Sequence, residues 1–271
     1  MSVQSVERAL KILTLFSHRQ PVLGISELSR MMDLPKGTVH GLIRTLVKHG
    51  FLKQDEQSRK YRLGLKIHEL GIVLSGTLEL NQKAAGPCHQ LSRRTGLLSR
   101  LGIWDGGSVV ITLNTHPHPM PVLPHQVGPR IHAYCSAIGK AILAFLDEKT
   151  LNQYIVNTRF VAFTPSTITS KKKLREHLKT IRRQGFSIDR EEAVLGMGCI
   201  GAPIFDRQGA VAGAISLSGS ISQVPGDNVE TLSRELLSTA FEISRFLGYM
   251  PDIMESEASR MQTTSAEYHQ I

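Results

Sequence analysis

The sequence predicts an α+β fold that consists of an N-terminal winged helix-turn-helix, a linker helix and a C-terminal domain of mixed helices and strands. Three observations support this prediction. The first 63 residues carry helix, helix, turn, helix and hairpin patterns in that order. From about residue 82 the pattern changes to helix-like segments mixed with strand-like ones. The length of 271 residues suits two domains and exceeds one small module.

The first segment predicts a helix with one buried face, because apolar residues recur there at intervals of three and four. Those residues are Val6, Ala9, Leu10, Leu13 and Phe16. Pro21 and Gly24 interrupt the pattern. Ser26 is then expected to cap a short helix over 27–32.

The next segment predicts a third helix followed by a hairpin. Pro35 cannot continue a helix but fits the start of one, so we expect a helix over 36–49 with Gly50 at its end. Two short strands over 51–54 and 60–63 are expected around a polar turn. Five elements in this order are typical of a winged helix-turn-helix, in which the third helix enters the DNA major groove. A small helical domain that binds protein is the alternative.

Positive charge is concentrated in the same segment. Residues 1–63 hold 11 Lys and Arg against 5 Asp and Glu, whereas residues 64–271 hold 21 against 18. Such a basic segment favours a polyanionic partner, most often nucleic acid. Charge alone leaves a basic surface without a partner open as an alternative. We therefore expect residues 1–63 to form a DNA-binding domain.

The rest of the chain predicts a linker helix, a mixed domain and a tail. Residues 64–81 are apolar enough to need a partner, which indicates a dimerisation helix. Within a domain over 82–249 we expect helices over 83–95, 136–146 and 171–184, a proline-rich loop over 117–129, and strands over 97–104, 109–115, 197–205 and 210–218. Asp227 and Glu230 predict a capping box for a last helix. Its buried stripe is Val229, Leu232, Leu236, Ala240, Ile243 and Leu247. Residues 250–271 predict a disordered tail.

Composition excludes several classes of protein. No run of 18 apolar residues predicts a membrane span, and the first residues lack the pattern of a signal peptide. The three cysteines, Cys88, Cys135 and Cys199, form no CxxC pair, which argues against a disulfide framework and a zinc ribbon. We therefore expect a cytoplasmic protein with no membrane partner.

Six motifs resemble those of the IclR-type bacterial transcription regulators. They are VQSVERAL at 3–10, LPKGTVH at 34–40, KYRLG at 60–64, SAIGKA at 136–141, DREE at 189–192 and CIGAPI at 199–204. The resemblance runs from about residue 3 to 248. It implies a winged helix-turn-helix, a linker helix and a GAF-like effector-binding domain. It also implies a dimer, or a dimer of dimers, that switches when a small metabolite binds.

The candidate DNA-binding residues lie on the third helix and on the hairpin. They are Lys36, Thr38, His40, Arg44, Arg59, Lys60 and Arg62. Side chains near the start of such a helix reach bases and phosphates, and a helix N-terminus favours phosphate. A plain surface role rivals this interpretation for any single residue, so the expectation applies to the set. Because a symmetric dimer needs matching half-sites, the expected partner is double-stranded DNA with a two-fold operator.

The candidate effector site combines a helix start with a strand of small residues. The backbone of 136–139 is expected to expose N–H groups to a carboxylate. Small residues alternate along the strand over 210–218, at Ala210, Ala212, Ala214, Ser216 and Ser218. Close packing of a helix on a sheet also uses small residues, so composition leaves both interpretations open. The resemblance implies that Ala137, Ile138, Gly139, Asp189, Cys199, Ser216 and Ser218 contact a small organic-acid effector.

Two other classes of function were weighed against a ligand-responsive regulator. An enzyme could use Cys199, but a catalytic thiol needs a base and no neighbouring element supplies one. The histidines at 116, 118, 125 and 132 have no cysteine or acidic cluster beside them, which argues against a metal. A purely structural dimerisation module is the third possibility. We predict a regulator that is not an enzyme and has no catalytic residue, metal site or cofactor.

Overall fold

The computed structural model describes residues 2–17, 19–117, 130–224, 226 and 228–251. The chain divides into two compact units, with the boundary between Thr77 and Leu78. The first unit contains α1 (Gln4–Thr14), α2 (Ile25–Met32), α3 (Lys36–Lys48), β1 (Leu52–Gln54), β2 (Tyr61–Leu63) and α4 (Leu65–Thr77). This order confirms the predicted helix-turn-helix with its hairpin. β1 and β2 pair in antiparallel fashion, and Leu23 adds a bridge to Tyr61.

Two details of the first unit differ from the sequence prediction. Val6 and Leu10, expected in the core, are 54% and 58% exposed, whereas Ile12 is fully buried. Of the expected stripe, Phe16 lies in the core of this unit beside Ile12, and Ala9 and Leu13 pack against it, whereas Val6 and Leu10 face away. The cap of α2 is Gly24 rather than Ser26, and the Gly24 N–H donates to Glu27 Oε2 at 2.7 Å.

The predicted linker helix divides into parts of two helices. α4 ends at Thr77, and α5 (Glu79–Thr95) begins four residues before the expected start at 83. Leu80 is buried with Ala84 and Cys88 in the core of the second unit. It therefore packs as part of α5, although the sequence placed it in the linker helix. α4 itself has no buried residue within the structure's described part.

The second unit is built on an antiparallel sheet with helices on both faces. Its described strands are β3 (Leu98–Asp105), β4 (Ser108–Thr115), β5 (Arg130–Ile131), β6 (Ser187–Arg190), β7 (Met197–Phe205) and β8 (Val211–Ser220), in the order β5-β4-β3-β8-β7-β6. α5 and α9 (Val229–Phe246) pack on one face. The other face is covered by α6 (Ala137–Leu143), α7 (Glu148–Asn157) and α8 (Lys171–Gln184). The predicted α+β class is confirmed.

Several elements of this unit match the prediction, and others do not. The bounds of α8 and β7 agree with it, and the expected stripe of α9 lies in or against the core. α6 is shorter than expected and ends at Leu143. α7 was not predicted, although Leu151, Tyr154 and Ile155 bury one of its faces. Asp227 and most of the expected loop and tail lie outside the described residues, and α9 begins after Asn228.

β8 also corrects the expected row of small residues. Gly213 pairs with Ile204 and Val211 pairs with Phe205, so the pairing skips Ala212. This irregularity shifts the alternation by one residue. Val211, rather than Ala210 or Ala212, therefore packs with Ala214 on the side of α6.

Candidate functional site

The predicted DNA-binding residues form an exposed basic surface on the first unit. Val39, Ile43 and Leu46 bury one face of α3. Lys36, Thr38, His40 and Arg44 are all exposed, and so are Arg59, Lys60 and Arg62 at the hairpin. All of these side chains are thus accessible to solvent, although Lys60 Nζ also lies 3.8 Å from Glu27 Oε2 in an ion pair.

The hairpin turn that carries the basic residues is held by local hydrogen bonds. Asp55 Oδ1 accepts from the backbone N–H and the hydroxyl of Ser58, both at 2.8 Å. These bonds lower the pKa of Asp55. Gln54 Nε2 donates to the Arg59 carbonyl at 2.9 Å. The turn therefore presents Arg59 and Lys60 from a fixed backbone.

The second unit contains a cavity of about 280 Å³ between α6 and the sheet. Of the seven predicted effector residues, six line it, namely Ala137, Ile138, Asp189, Cys199, Ser216 and Ser218. Gly139 does not line it. The Gly139 N–H donates to the capping hydroxyl of Ser136 at 3.2 Å, so it is not available to a ligand carboxylate.

The polar floor of the cavity comes from adjacent positions of four strands. Arg100 on β3 lies opposite Ser216 on β8. Ser218 on β8 lies opposite Cys199 on β7, which lies opposite Asp189 on β6. Directly opposed residues of an antiparallel pair point to the same face. The floor therefore runs from a guanidinium, across hydroxyls and a thiol, to a carboxyl group.

The start of α6 lies unusually close to this floor. A Cβ atom at Gly201 would lie 2.8 Å from the backbone carbonyl of Ala137, a separation that no ordinary side chain tolerates. Ser187 Oγ donates to the same Ala137 carbonyl at 2.5 Å. Glycine at 201 thus lets α6 approach β7, and Ser187 holds it there.

A buried ion pair lies beneath the cavity. Lys140 on α6 is fully buried, pairs with Glu192, and donates to the Ile188 carbonyl at 2.6 Å. Asp189 Oδ1 accepts from the Glu192 N–H at 2.7 Å. The pKa of Asp189 is raised to about 7, chiefly by burial; the Glu192 N–H and the charge of Lys140 act to lower it, and the charge of Glu192 acts to raise it. Asp189 can therefore donate or accept a hydrogen bond near neutral pH.

The thiols that line the cavity are poor nucleophiles. Burial raises the pKa of Cys199 to about 11 and that of Cys135 to about 12. The thiolate is the reactive form of cysteine, so neither group is activated. No group of three potential metal ligands occurs in the described ranges, and no helix in them is long and apolar enough to span a membrane. His118 and His125 lie outside those ranges.

Sequence reasoning missed several side chains of the cavity, among them two arginines, a histidine and a phenylalanine. Arg100 and Arg130 bring positive charge to it, and His132 stacks on Phe163 with ring centroids 5.0 Å apart. Arg100 had a readable signal, since it interrupts a strand between buried Ser99 and Leu101. Arg130 follows directly on the segment 118–129, and His132 was considered only as a metal ligand.

Comparison with known proteins assigns the chain to a family. Residues 73–245 match the model of the bacterial transcriptional regulator IclR C-terminal domain, and residues 5–56 match the IclR helix-turn-helix domain. The chain belongs to the IclR family. The expected resemblance is confirmed, and the protein is a transcription regulator with a C-terminal effector domain, not an enzyme.

Individual IclR relatives extend over nearly the whole chain. The HTH-type transcriptional regulator XynR of Escherichia coli strain K12 is 36% identical over 247 residues, which cover 91% of this chain and 98% of XynR. The crystal structure of Thermotoga maritima IclR has a TM-score of 0.72 at 28% identity and covers 91% of this chain and 99% of its own. An IclR homologue of Microbacterium hydrocarbonoxydans, complexed with 4-hydroxybenzoate, has a TM-score of 0.76 at 22% identity, with coverages of 90% and 98%.

Proposed function

We propose that this IclR-family regulator binds a two-fold operator through its first unit and releases or engages it when a small organic acid fills the cavity under α6. The proposal rests on the floor of the cavity, where some buried polar atoms have no hydrogen-bond partner among the described residues. Ser218 Oγ is buried, and apart from the neighbouring Cys199 thiol, a weak hydrogen-bonding group, it has no partner within the described residues. Leaving a buried hydroxyl unpaired is unfavourable, and a ligand hydroxyl or carbonyl would satisfy it.

The size and polarity of the cavity define the class of effector. A cavity of about 280 Å³ has room for a small metabolite. Apolar walls with a few convergent polar groups are typical of ligand sites. Asp189 would bind a ligand hydroxyl, because an ionised carboxyl group there would repel a carboxylate. The 4-hydroxybenzoate complex of the Microbacterium homologue supports the view that this fold can hold a small acid.

A regulator that dimerises through α4 but whose cavity binds no effector is the second candidate. The exposed apolar residues of α4 favour it as strongly as they favour the ligand-responsive regulator. The two candidates differ in the response to ligand. Operator affinity that changes when small organic acids are added supports the ligand-responsive regulator, whereas an unchanged affinity supports the second candidate.

We expect Arg44→Ala to weaken operator binding roughly tenfold at physiological salt. The slope of log affinity against log salt concentration should become shallower by about one, because one phosphate contact is lost. Arg44 is exposed on α3, so its removal should leave the core intact. The operator is first selected from random duplexes with the full-length chain, and binding is then measured by fluorescence anisotropy. Arg183→Ala on α8 is the matched control and should bind as wild type. Equal affinity for Arg44→Ala would remove Arg44 from the interface.

We expect α4 to form the dimer contact of this chain. Leu70, Ile72, Val73 and Leu74 are between 48% and 64% exposed, and such apolar patches mark protein interfaces. Sedimentation at micromolar concentration should show a dimer or tetramer, and Leu70→Glu/Leu74→Glu should dissociate it. Lys66→Gln, on the same helix, should not. A monomeric wild type would contradict both the dimer and the two-fold operator.

We expect Ser216→Ala to lower effector affinity roughly tenfold, the effect of losing a buried hydrogen bond of about 1–3 kcal/mol. Operator binding by the ligand-free variant should be unchanged. The effector is found by thermal-shift screening of organic acids, and affinity is measured by calorimetry. Ser220→Ala, at the exposed end of the same strand, is the control. Unchanged affinity in Ser216→Ala would place the effector elsewhere.

A further inference from the structure

Arg100 is a cavity cation without a partner. Its Nε is buried and has no hydrogen-bond partner, and none of its nitrogens forms an ion pair among the described residues. Burial lowers the pKa of this guanidinium. Arginines are rarely buried unless they are paired, since a desolvated charge is unfavourable. Arg100 as a whole is partly buried, so it is its Nε that lacks the partner a desolvated charge usually has.

The other arginine of the cavity is already engaged. Arg130 pairs with Asp105 at 2.5 Å and donates to the Asp105 carbonyl at 3.0 Å. Arg94, a third arginine of the same unit, pairs with Glu235 at 3.0 Å on the surface. Arg100 thus differs from both in lining the cavity with no hydrogen bond or ion pair among the described residues.

The start of α6 is a weaker anion site than Arg100. Hydrogen bonds to Ser136 already occupy the N–H groups of Gly139 and Lys140. This leaves the N–H groups of Ala137 and Ile138 on a helix of only seven residues. A guanidinium offers five donors and a full charge, and its planar fork matches a carboxylate.

The cavity floor carries a guanidinium group at one end, on Arg100, and a carboxyl group at the other, on Asp189. β3, which bears Arg100, and β6, which bears Asp189, are separated by β8 and β7. Three strand spacings amount to roughly 14 Å between their backbones. Arg100 and Cys199 both line the cavity, and the nearby guanidinium charge acts to lower the pKa of the Cys199 thiol. A ligand that spans the floor therefore meets a cation at one end and a carboxyl group at the other.

We propose that Arg100 anchors the carboxylate of the effector, and that the effector is a hydroxy monocarboxylate whose hydroxyl group faces Asp189. This inference rests on the proposed function of the cavity. Above about pH 7, where Asp189 is ionised, a second carboxylate at the far end would be repelled. An amide would offer Arg100 one acceptor oxygen and no negative charge. The cavity consequently favours monocarboxylates over amides of the same size and, above about pH 7, over dicarboxylates.

The test compares Arg100→Gln with wild type in two measurements on the full chain. Calorimetry measures binding of hydroxy monocarboxylates, from glycolate to gluconate and 4-hydroxybenzoate, each beside its primary amide. Wild type should prefer the acid roughly 30-fold or more, and Arg100→Gln should lose that preference. Arg100→Lys keeps the positive charge but lacks the planar guanidinium group. Its preference for the acid over the amide should lie between those of wild type and Arg100→Gln. Arg94→Gln is the matched control and should bind the acid as wild type.

Thermal unfolding of the ligand-free proteins separates a binding role from a structural one. Because Arg100 has no partner to lose, Arg100→Gln should melt at the wild-type temperature or above. A melting temperature several degrees lower would make Arg100 a structural residue and overturn the inference. Equal acid binding by wild type and Arg100→Gln would overturn it while the proposed function stands. Failure of every acid to bind wild type would instead contradict the organic-acid effector itself.

Discussion

Replacing Lys140 with Met should lower the free energy of unfolding of the second unit by about 3–5 kcal/mol. Lys140 is fully buried, and its partner Glu192 is nearly so. Glu192 Oε2 is already buried without a hydrogen-bond partner among the described residues. Removing the cation leaves this carboxyl group in a low-dielectric environment, where it must lose its charge or destabilise the fold. No other single change considered for this protein is expected to have a larger effect on stability.

Denaturant unfolding monitored by Trp104 fluorescence measures this effect. Trp104 is the one tryptophan of the sequence, and its ring contacts Tyr154 in the second unit at 5.3 Å. Lys140→Met/Glu192→Gln removes both charges and should recover most of the loss. The control is Arg234→Met, which breaks an exposed pair with Glu230 and should change stability by less than about 1 kcal/mol. A Lys140→Met variant as stable as wild type would show that the pair contributes nothing.

Asp189→Asn should stabilise the second unit relative to wild type, and this difference should grow by about 2–3 kcal/mol between pH 5 and pH 8. The pKa of Asp189 is raised from 3.8 to about 7, chiefly by burial. Between these values the folded state retains a proton that the unfolded state has released, so raising the pH favours unfolding. Above about pH 7 both states are deprotonated and the difference becomes constant. Asn can still accept the hydrogen bond from the Glu192 N–H.

Stability must be compared between the variant and wild type at each pH, because the titration of His177 changes stability in the opposite direction. Burial lowers the pKa of His177 from 6.5 to about 4, so its contribution to stability rises with pH in that range. Subtracting the wild-type curve from that of Asp189→Asn cancels this contribution. Asp147→Asn is the control, since the pKa of Asp147 is lowered and the group is ionised in both states above pH 5. A difference that does not change with pH would show that Asp189 is already ionised in the folded protein.

Local sequence signals determined the elements of this protein. The pair Gly106 and Gly107 predicted the β3–β4 hairpin, and both adopt the positive φ that such turns need. The apolar stripe of α9 and the proline before α3 likewise defined their helices. These signals succeed because turn geometry and helical periodicity depend on residues a few positions apart. The resemblance to the IclR family then indicated six residues that line the cavity.

Tertiary structure alone decided which apolar and charged groups meet. The periodicity of α1 could not tell Ile12, which the core covers, from Leu10, which it leaves exposed. The irregular pairing at Ala212 changed which small residues face α6. Burial of this kind depends on what another element brings to a surface, and local sequence does not contain that information.

For the same reason, only part of the cavity's chemistry could be predicted from the sequence. Lys140 and Glu192 are 52 positions apart, and Arg100 meets Ser216 from a distant part of the chain. The sequence shows that each of these residues is polar and stands near apolar neighbours. Their charges affect stability or binding only once folding removes water around them and fixes which groups they face. Sequence therefore determined the type and order of most of the regulator's elements, whereas the sheet order decided that one arginine would line the cavity unpaired.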